Sequence, residues 1–461
     1  MYNYYVRKIF LSIMAALFYW ACSNSGSDKE ISSPWDEKFI AQDSTASDTT
    51  ANTSVDTLDN FIDSLTLILT YNKLAPTKND KECYPEAGIP RLLIATPSQE
   101  RPDDDTTDAV AYGVLTEGGT AVTDTMPLMI RIRGNTTLAM PKRSFKITFT
   151  DKVSLLGMPE SKDWALLANY GDKTLLKNYI AFKLSDWAGM TYTPRSQFVE
   201  LFLNGNYRGV YLLCETIKVA KNRVNIPENQ NSYLVEVDRK YRDDDVVVIN
   251  EREMAFRIHS PKDPTEESMD RLRLHLDSLE GYLEYIHQDY SLALDSTPDN
   301  WFDIDAFVKH YWIQEFTKNP DAIPLTSVFF TWVAGSVIRM GPVWDFDAAF
   351  GATTELENTD GWYIRDYSWY RRMLKMPNVK EVSTQFWQKN RSIFEALPDS
   401  IDAYAQMLSL AAENNYRGWP DILGDVNDFT HTKAYSNYAE AVEDLKSWVR
   451  ERTRWIDENV Q

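Results

Sequence analysis

Apolar and polar positions change their period about halfway along the chain. From residue 88 the pattern is strand-like: residues 91–95 are a short apolar run, while residues 128–133 and 144–148 alternate in side-chain character. Turn residues separate these runs. Gly134-Asn135, Pro141 and Asn204-Gly205-Asn206 fall between them, and the last joins PheValGluLeuPheLeu to ArgGlyValTyrLeuLeu as a predicted hairpin. Within this half, Leu175, Leu176, Tyr179, Ile180, Phe182, Leu184 and Trp187 predict a helix over 174–188. Helical spacing then takes over. Met269, Leu272, Leu276, Leu279, Leu283 and Ile286 predict a helix over 264–289, and 304–316 and 393–414 continue the pattern. Near the C-terminus Ala441, Val442, Leu445, Trp448, Val449, Arg452, Trp455 and Ile456 form one face. The prediction is an α+β fold, sheet-rich over 61–262 and helical over 263–461, with a ligand cleft where the two parts meet.

The first 60 residues follow neither period. Arg7 and Lys8 precede an apolar run over 9–20 and then Ala21 and Cys22, the layout of a secretory signal over 1–22. The run is shorter than the ~20 residues that span a bilayer. Cys22 before SerAsnSerGlySer resembles a bacterial lipoprotein cleavage and acylation site, although Tyr19 and Trp20 depart from its usual pattern; simple cleavage and a buried structural Cys22 are the alternatives. Residues 23–60 are rich in Ser, Thr and Asp, with few large hydrophobes, and predict a disordered tether. The expected location is therefore the cell envelope, after export, with Cys22 carrying the membrane anchor. Cys83 and Cys214 would then be the remaining cysteines, and whether they pair is open.

Charge narrows the ligand classes. With 68 acidic against 48 basic residues and a formal charge of −20, the field repels nucleic-acid backbones, and the sequence has no segregated basic patch to offset it. A phosphate-bearing ligand must be held by a few placed cations and a metal. His259, His275, His287, His310 and His431 are scattered, and HExxH, GxSxG, GxGxxG and GxxxxGK[ST] are all missing. Zinc proteases, serine hydrolases, ordinary kinases and P-loop enzymes are disfavoured accordingly.

Candidate chemistry sits elsewhere. In TrpAspPheAsp, Asp345 and Asp347 are two apart, so on an extended segment both carboxylates face one side, ~7 Å apart at the backbone. Such a pair suits Mg²⁺; a charged turn making caps or ion pairs is the alternative. Lys142 and Lys146 share a face with Ser144 if their strand is regular, which offers either of them to phosphates or leaves a solvated basic strand. Asp321 follows Pro320 and is either a proton acceptor or a turn residue.

Several blocks occur in an order that resembles the spore-coat protein H (CotH) kinase family. They are ArgGlyAsnThrThr at 133–137, ProLysArgSerPheLysIleThrPhe at 141–149, LeuLeuGlyMetPro at 155–159, TrpAlaLeuLeuAlaAsnTyrGlyAsp at 164–172 and LeuLysAsn at 176–178. LeuAsnGlyAsnTyrArgGlyValTyrLeuLeuCysGlu at 203–215, AsnProAsp at 319–321 and GlyProValTrpAspPheAspAlaAlaPheGly at 341–351 follow, and the resemblance spans about residues 88–458. It implies an atypical protein-kinase-like two-lobe fold that uses ATP and Mg²⁺ or Mn²⁺ to phosphorylate Ser or Thr of a protein substrate. It further implies a metal role for Asp345, with Asp347 as a second ligand, and a catalytic role for Asp321. Lys142 or Lys146 would contact phosphate, with Glu215 as the ion-pair partner and Arg133 and Asn178 as further polar groups. The family often has an Asn ligand a few residues after the catalytic Asp, where this chain has Thr326 and Ser327. A noncatalytic envelope binding or adhesion lipoprotein that retains the fold is the alternative.

Overall fold

The computed structural model describes residues 74, 76, 78–98, 101–288, 297–323, 326–353, 356–426 and 433–460. The signal-like segment, Cys22, the tether and His431 lie outside these. After α1 (Lys78–Cys83) come β1 (Arg91–Ala95), β2 (Ala109–Glu117), β3 (Thr120–Ala121), β4 (Met126–Arg133), β5 (Ser144–Val153) and β6 (Ser161–Leu167). Then follow α2 (Lys177–Trp187), β7 (Ser196–Leu203) and β8 (Asn206–Glu215). These strands form one sheet in the order β1-β7-β8-β6-β5-β4-β2-β3, and β1 also pairs with β2, which closes the sheet into a barrel. Closure leaves only β3 as a short outer strand, so few backbone groups lack a partner.

Alternation fills this barrel. Leu92, Ile94, Ile130, Ile132, Phe145, Ile147, Trp164, Leu166, Val199, Leu201, Tyr211 and Leu213 form one buried cluster from alternate positions. Their neighbours point outward: Ala165, Phe198, Val210, Leu212 and Cys214 join the second core under the helices. The predicted hairpin is β7–β8, with Asn204 and Gly205 at φ 54° and 73°, the paired left-handed residues that a tight two-residue turn requires.

A second sheet follows. It is built from β9 (Ser232–Val237), β10 (Val247–Ile249) and β11 (Ala255–Ser260), then, beyond α3 (Glu266–Gln288) and α4 (Ile304–Thr317), from β12 (Val328–Val333) and β13 (Arg339–Met340). Its order is β10-β11-β9-β12-β13. The part expected to be helical, 263–461, does carry helices but also contributes β12 and β13 to this sheet. ValPhePheThrTrpVal of β12 is an inner strand buried along nearly its whole length, so it carries no alternation for a sequence to display.

The remaining helices are α5 (Ser368–Met373), α6 (Pro377–Glu395), α7 (Leu397–Gly418) and α8 (Tyr438–Asn459). The helix expected over 393–414 is broken at Ala396, because Pro398 has no N–H to continue it and instead opens α7. Arg452 of α8 is wholly buried. Its guanidinium donates to Glu315 Oε1 of α4 at 2.6 Å and to the Thr359 and Gly361 carbonyls at 2.7 Å, while the Glu315 carboxylate also accepts the backbone N–H groups of Tyr363, Ile364 and Arg365. Cys83 and Cys214 do not pair with one another.

Candidate active site

A cavity of about 670 Å³ lies between the outer face of β4–β5 and the segments that carry Asp321, Asp345 and Asp347. Its two walls differ in charge. Because Ile130, Ile132, Phe145 and Ile147 point into the barrel, Arg131 and Arg133 of β4 and Lys146 of β5 must point out, and Arg131 lies directly across from Lys146. Lys146 makes no ion pair among the described residues; burial, and then Arg131, hold its ammonium below the ordinary lysine range. The Arg133 guanidinium lies over the Trp344 ring at 5.2 Å, with Nη1 unpartnered.

Lys142 is placed differently from Lys146. It precedes β5 rather than lying in it, and its Nζ donates to Ala168 O at 2.7 Å, Val210 O at 2.6 Å and Asn415 Oδ1 at 2.9 Å. Burial pushes its proton affinity down, yet three oxygen acceptors require the three N–H groups of the charged ammonium. None is left for a ligand. Glu215 is also committed: Arg195 binds both its oxygens at 2.9 and 3.0 Å, Tyr192 donates to it at 3.1 Å, and Arg223 lies at 3.7 Å. It pairs with arginines behind the cleft and with neither lysine, which corrects the expected Lys–Glu pairing.

The acidic wall has three legs. After α4, Lys318 closes the helix in the left-handed region and Asn319 caps the turn carrying Asp321. Asn319 Nδ2 also donates to Asp345 O at 3.0 Å, and Asn178 Oδ1 of α2 accepts from Phe346 N at 2.9 Å, so two buried amides hold the TrpAspPheAsp segment from either side. The segment is not extended: Asp345 has φ 66°. Both carboxylates reach the cavity through this bend rather than by strand alternation, and they hydrogen-bond one another. The third leg is Thr326-Ser327 at the start of β12.

Three carboxylates crowded in a recess resist ionisation. Burial and then Asp347 push Asp321 up to about 6, against the pull of Lys240. Burial and Asp321 raise Asp345 to about 6, and burial and Asp345 raise Asp347 to about 8. Among the described residues none of the three is ion-paired, and no group of three or more His, Cys, Asp or Glu is arranged to hold a metal alone. Two carboxylates without an ion-pair partner nevertheless fit Mg²⁺ or Mn²⁺, which takes one or two carboxylates, completes its shell with water and phosphate oxygens, and would displace the proton that burial leaves on Asp347.

The sequence reading missed Glu236 of β9 and Asp238 just beyond its end, which also line the cavity. The Glu236 carboxylate accepts a hydrogen bond from His259 Nε2 at 2.7 Å, and burial raises the Asp238 carboxyl. A signal was present: a carboxylate within the apolar run TyrLeuValGluVal would have no reason to be there on a strand serving only the core.

A family model described as CotH kinase protein matches residues 130–456. The inner spore coat protein H of Bacillus subtilis (strain 168) is 23% identical over 246 residues, covering 51% of this chain and 62% of that protein. The chain thus spans less than two thirds of that relative's length.

Proposed function

The chain belongs to the CotH kinase protein family, and we propose that its cleft transfers the γ-phosphoryl group of ATP to a Ser or Thr hydroxyl of a protein. The observation that carries this reading is the pairing of walls in one cavity: unpaired cations on β4–β5 facing a recess of three mutually repelling carboxylates. On this reading the barrel side and the side carrying the second sheet and the helices act as the two lobes of a kinase-like arrangement.

Phosphoryl transfer asks a protein chiefly for positioning and charge stabilisation. Lys146 and Arg133 would take the phosphate oxygens, since the Lys142 ammonium is already saturated. Asp345 and Asp347 would hold Mg²⁺ or Mn²⁺. Bound there, the ion would neutralise charge on the transferring group. Asp321 would orient the acceptor hydroxyl and take its proton; a carboxylate raised to about 6 is ionised at neutral pH yet more basic than an ordinary one.

The test has two parts. A thermal-shift titration with ATP and Mg²⁺ or Mn²⁺ should stabilise the wild type and not Asp345→Asn. Labelled ATP with casein-like acceptors should then give transfer that Asp321→Asn abolishes while nucleotide binding persists. No stabilisation of the wild type, or equal stabilisation of Asp345→Asn, sinks the proposal.

A further inference from the structure

The segment between β9 and β10, residues 238–246, reaches over the cavity from the second sheet to the barrel, and its own side chains fix its path. Lys240 N donates to Asp238 Oδ1 at 2.8 Å, a local turn of the kind aspartate favours, and Arg242 N donates to Asp245 Oδ2 at 2.8 Å. Asp245 is in turn ion-paired with Arg257 of β11 at 2.5 Å. Arg242 then crosses to the other wall. Its Nη2 lies 2.5 Å from Asp105 Oδ2, ahead of β2, and 3.4 Å from the carbonyl of Gly134, the residue that follows Arg133. Asp105 belongs to a loop that the barrel also holds, through Arg143 Nη1 donating to Asp103 O at 3.3 Å.

Three cations line the cavity on this side: Lys240, Arg242 and Arg257. Two are spent. Arg242 pairs with Asp105, and Arg257 pairs with Asp245 and lies 3.8 Å from Glu236. The Lys240 side chain is exposed and makes no hydrogen bond or ion pair among the described residues, only its backbone N–H being engaged. Of the cations around Asp321, Lys240 nevertheless acts on it most strongly, lowering a carboxyl that burial, Asp347 and Asp238 raise. An ammonium that acts on this carboxylate without pairing with it has its donors free for a ligand between them.

The position of that ligand follows from the role given to Asp321. The acceptor oxygen, its proton passing to Asp321, forms a bond to the γ-phosphorus while the bond from that phosphorus to the β–γ bridging oxygen breaks and ADP leaves with the electron pair. Charge in the transition state rests on the oxygens of the transferring group, next to Asp321. Lys146 and Arg133 approach from the barrel wall. We propose that Lys240 Nζ contacts the γ-phosphate of ATP from the opposite wall, retaining its own protons throughout, so that cations of both walls hold the transferring group. The inference rests on the phosphoryl-transfer reading and adds to it a residue carried by the strap over the cleft.

The test compares ATP with ADP, which lacks the γ-phosphate, by calorimetry on the full-length chain with Mg²⁺, beside labelled phosphate transfer to a casein-like acceptor. Lys240→Met should weaken ATP by about tenfold, leave ADP within about twofold, and cut transfer by about a hundredfold. Lys240→Arg keeps the charge and should recover most of both. Lys240 is exposed, so neither variant disturbs packing. Equal loss of ATP and ADP, an unchanged ATP-to-ADP ratio, or no recovery in Lys240→Arg overturns the inference. If Lys146→Met loses ATP and Lys240→Met does not, the role of Lys240 falls and the phosphoryl-transfer reading stands. A wild type that binds no ATP with Mg²⁺ removes that reading and this inference together.

Discussion

Replacing Asp347 by Asn should stabilise the metal-free protein at neutral pH, although the residue is assigned to the site. Its folded carboxyl is held near 8 against an ordinary 3.8, so at pH 7 folding draws a proton from solution. A raised aspartate contributes stability that is fully present below 3.8 and is lost as pH rises toward 8. At about 1.4 kcal/mol per unit, the 3.2 units between 3.8 and pH 7 set an upper limit of about 4 kcal/mol. The site opens to water and part of the effect belongs to Asp345, which shares a hydrogen bond with Asp347, so about 2 kcal/mol is expected. Asn resembles the neutral acid and needs no proton. In urea unfolding with EDTA, Asp347→Asn should therefore exceed wild type by about 2 kcal/mol at pH 7, with the gap closing near pH 4. Adding Mg²⁺ at about a hundredfold over its Kd should raise wild type by about 2.7 kcal/mol and the variant far less, reversing their order. A variant less stable than wild type at pH 7 in EDTA, or a gap independent of pH, would refute the account of the acidic recess.

Three further outcomes follow from the packing. Lys142→Met strips partners from two buried carbonyls and from Asn415 and should cost about 2–4 kcal/mol in chemical denaturation, whereas Lys146→Met should change stability by under about 1 kcal/mol and weaken ATP binding at least tenfold by calorimetry. Arg452→Leu leaves the Glu315 carboxylate buried without its cation and should cost about 3–5 kcal/mol, part of which Glu315→Gln in the same chain should recover. Gly209→Ala should cost upwards of about 2 kcal/mol in the same measurement, because φ is 102° and the added Cβ would lie 2.5 Å from Asn415 Oδ1 and 2.9 Å from Lys142 Cε.

Sequence alone was enough wherever one face of an element is solvated or a turn needs special residues. Alternation located β4 and β5, Asn204-Gly205 located the hairpin, and the stripe from Ala441 to Ile456 located α8. The order of short blocks also pointed to the family that residues 130–456 match. Period fails where burial is two-sided, which is why β12 went unseen and the chain appeared to divide into a sheet half and a helical half.

The site shows the same division. Residue types and spacing nominated Asp321, Asp345, Asp347, Lys142 and Lys146, but not what each one touches. Only the fold spends Lys142 on three buried oxygens, turns Glu215 toward Arg195, and leaves Lys146 and Arg133 open to the cavity. Only the fold bends Asp345 and Ser327 into the left-handed region so that their oxygens approach. Local sequence encodes period, turn and charge, because these depend on neighbours along the chain. Which cation is consumed and which carboxylate is left uncompensated depends on groups up to 273 residues apart, as between Lys142 and Asn415, and that is decided when the core closes around them.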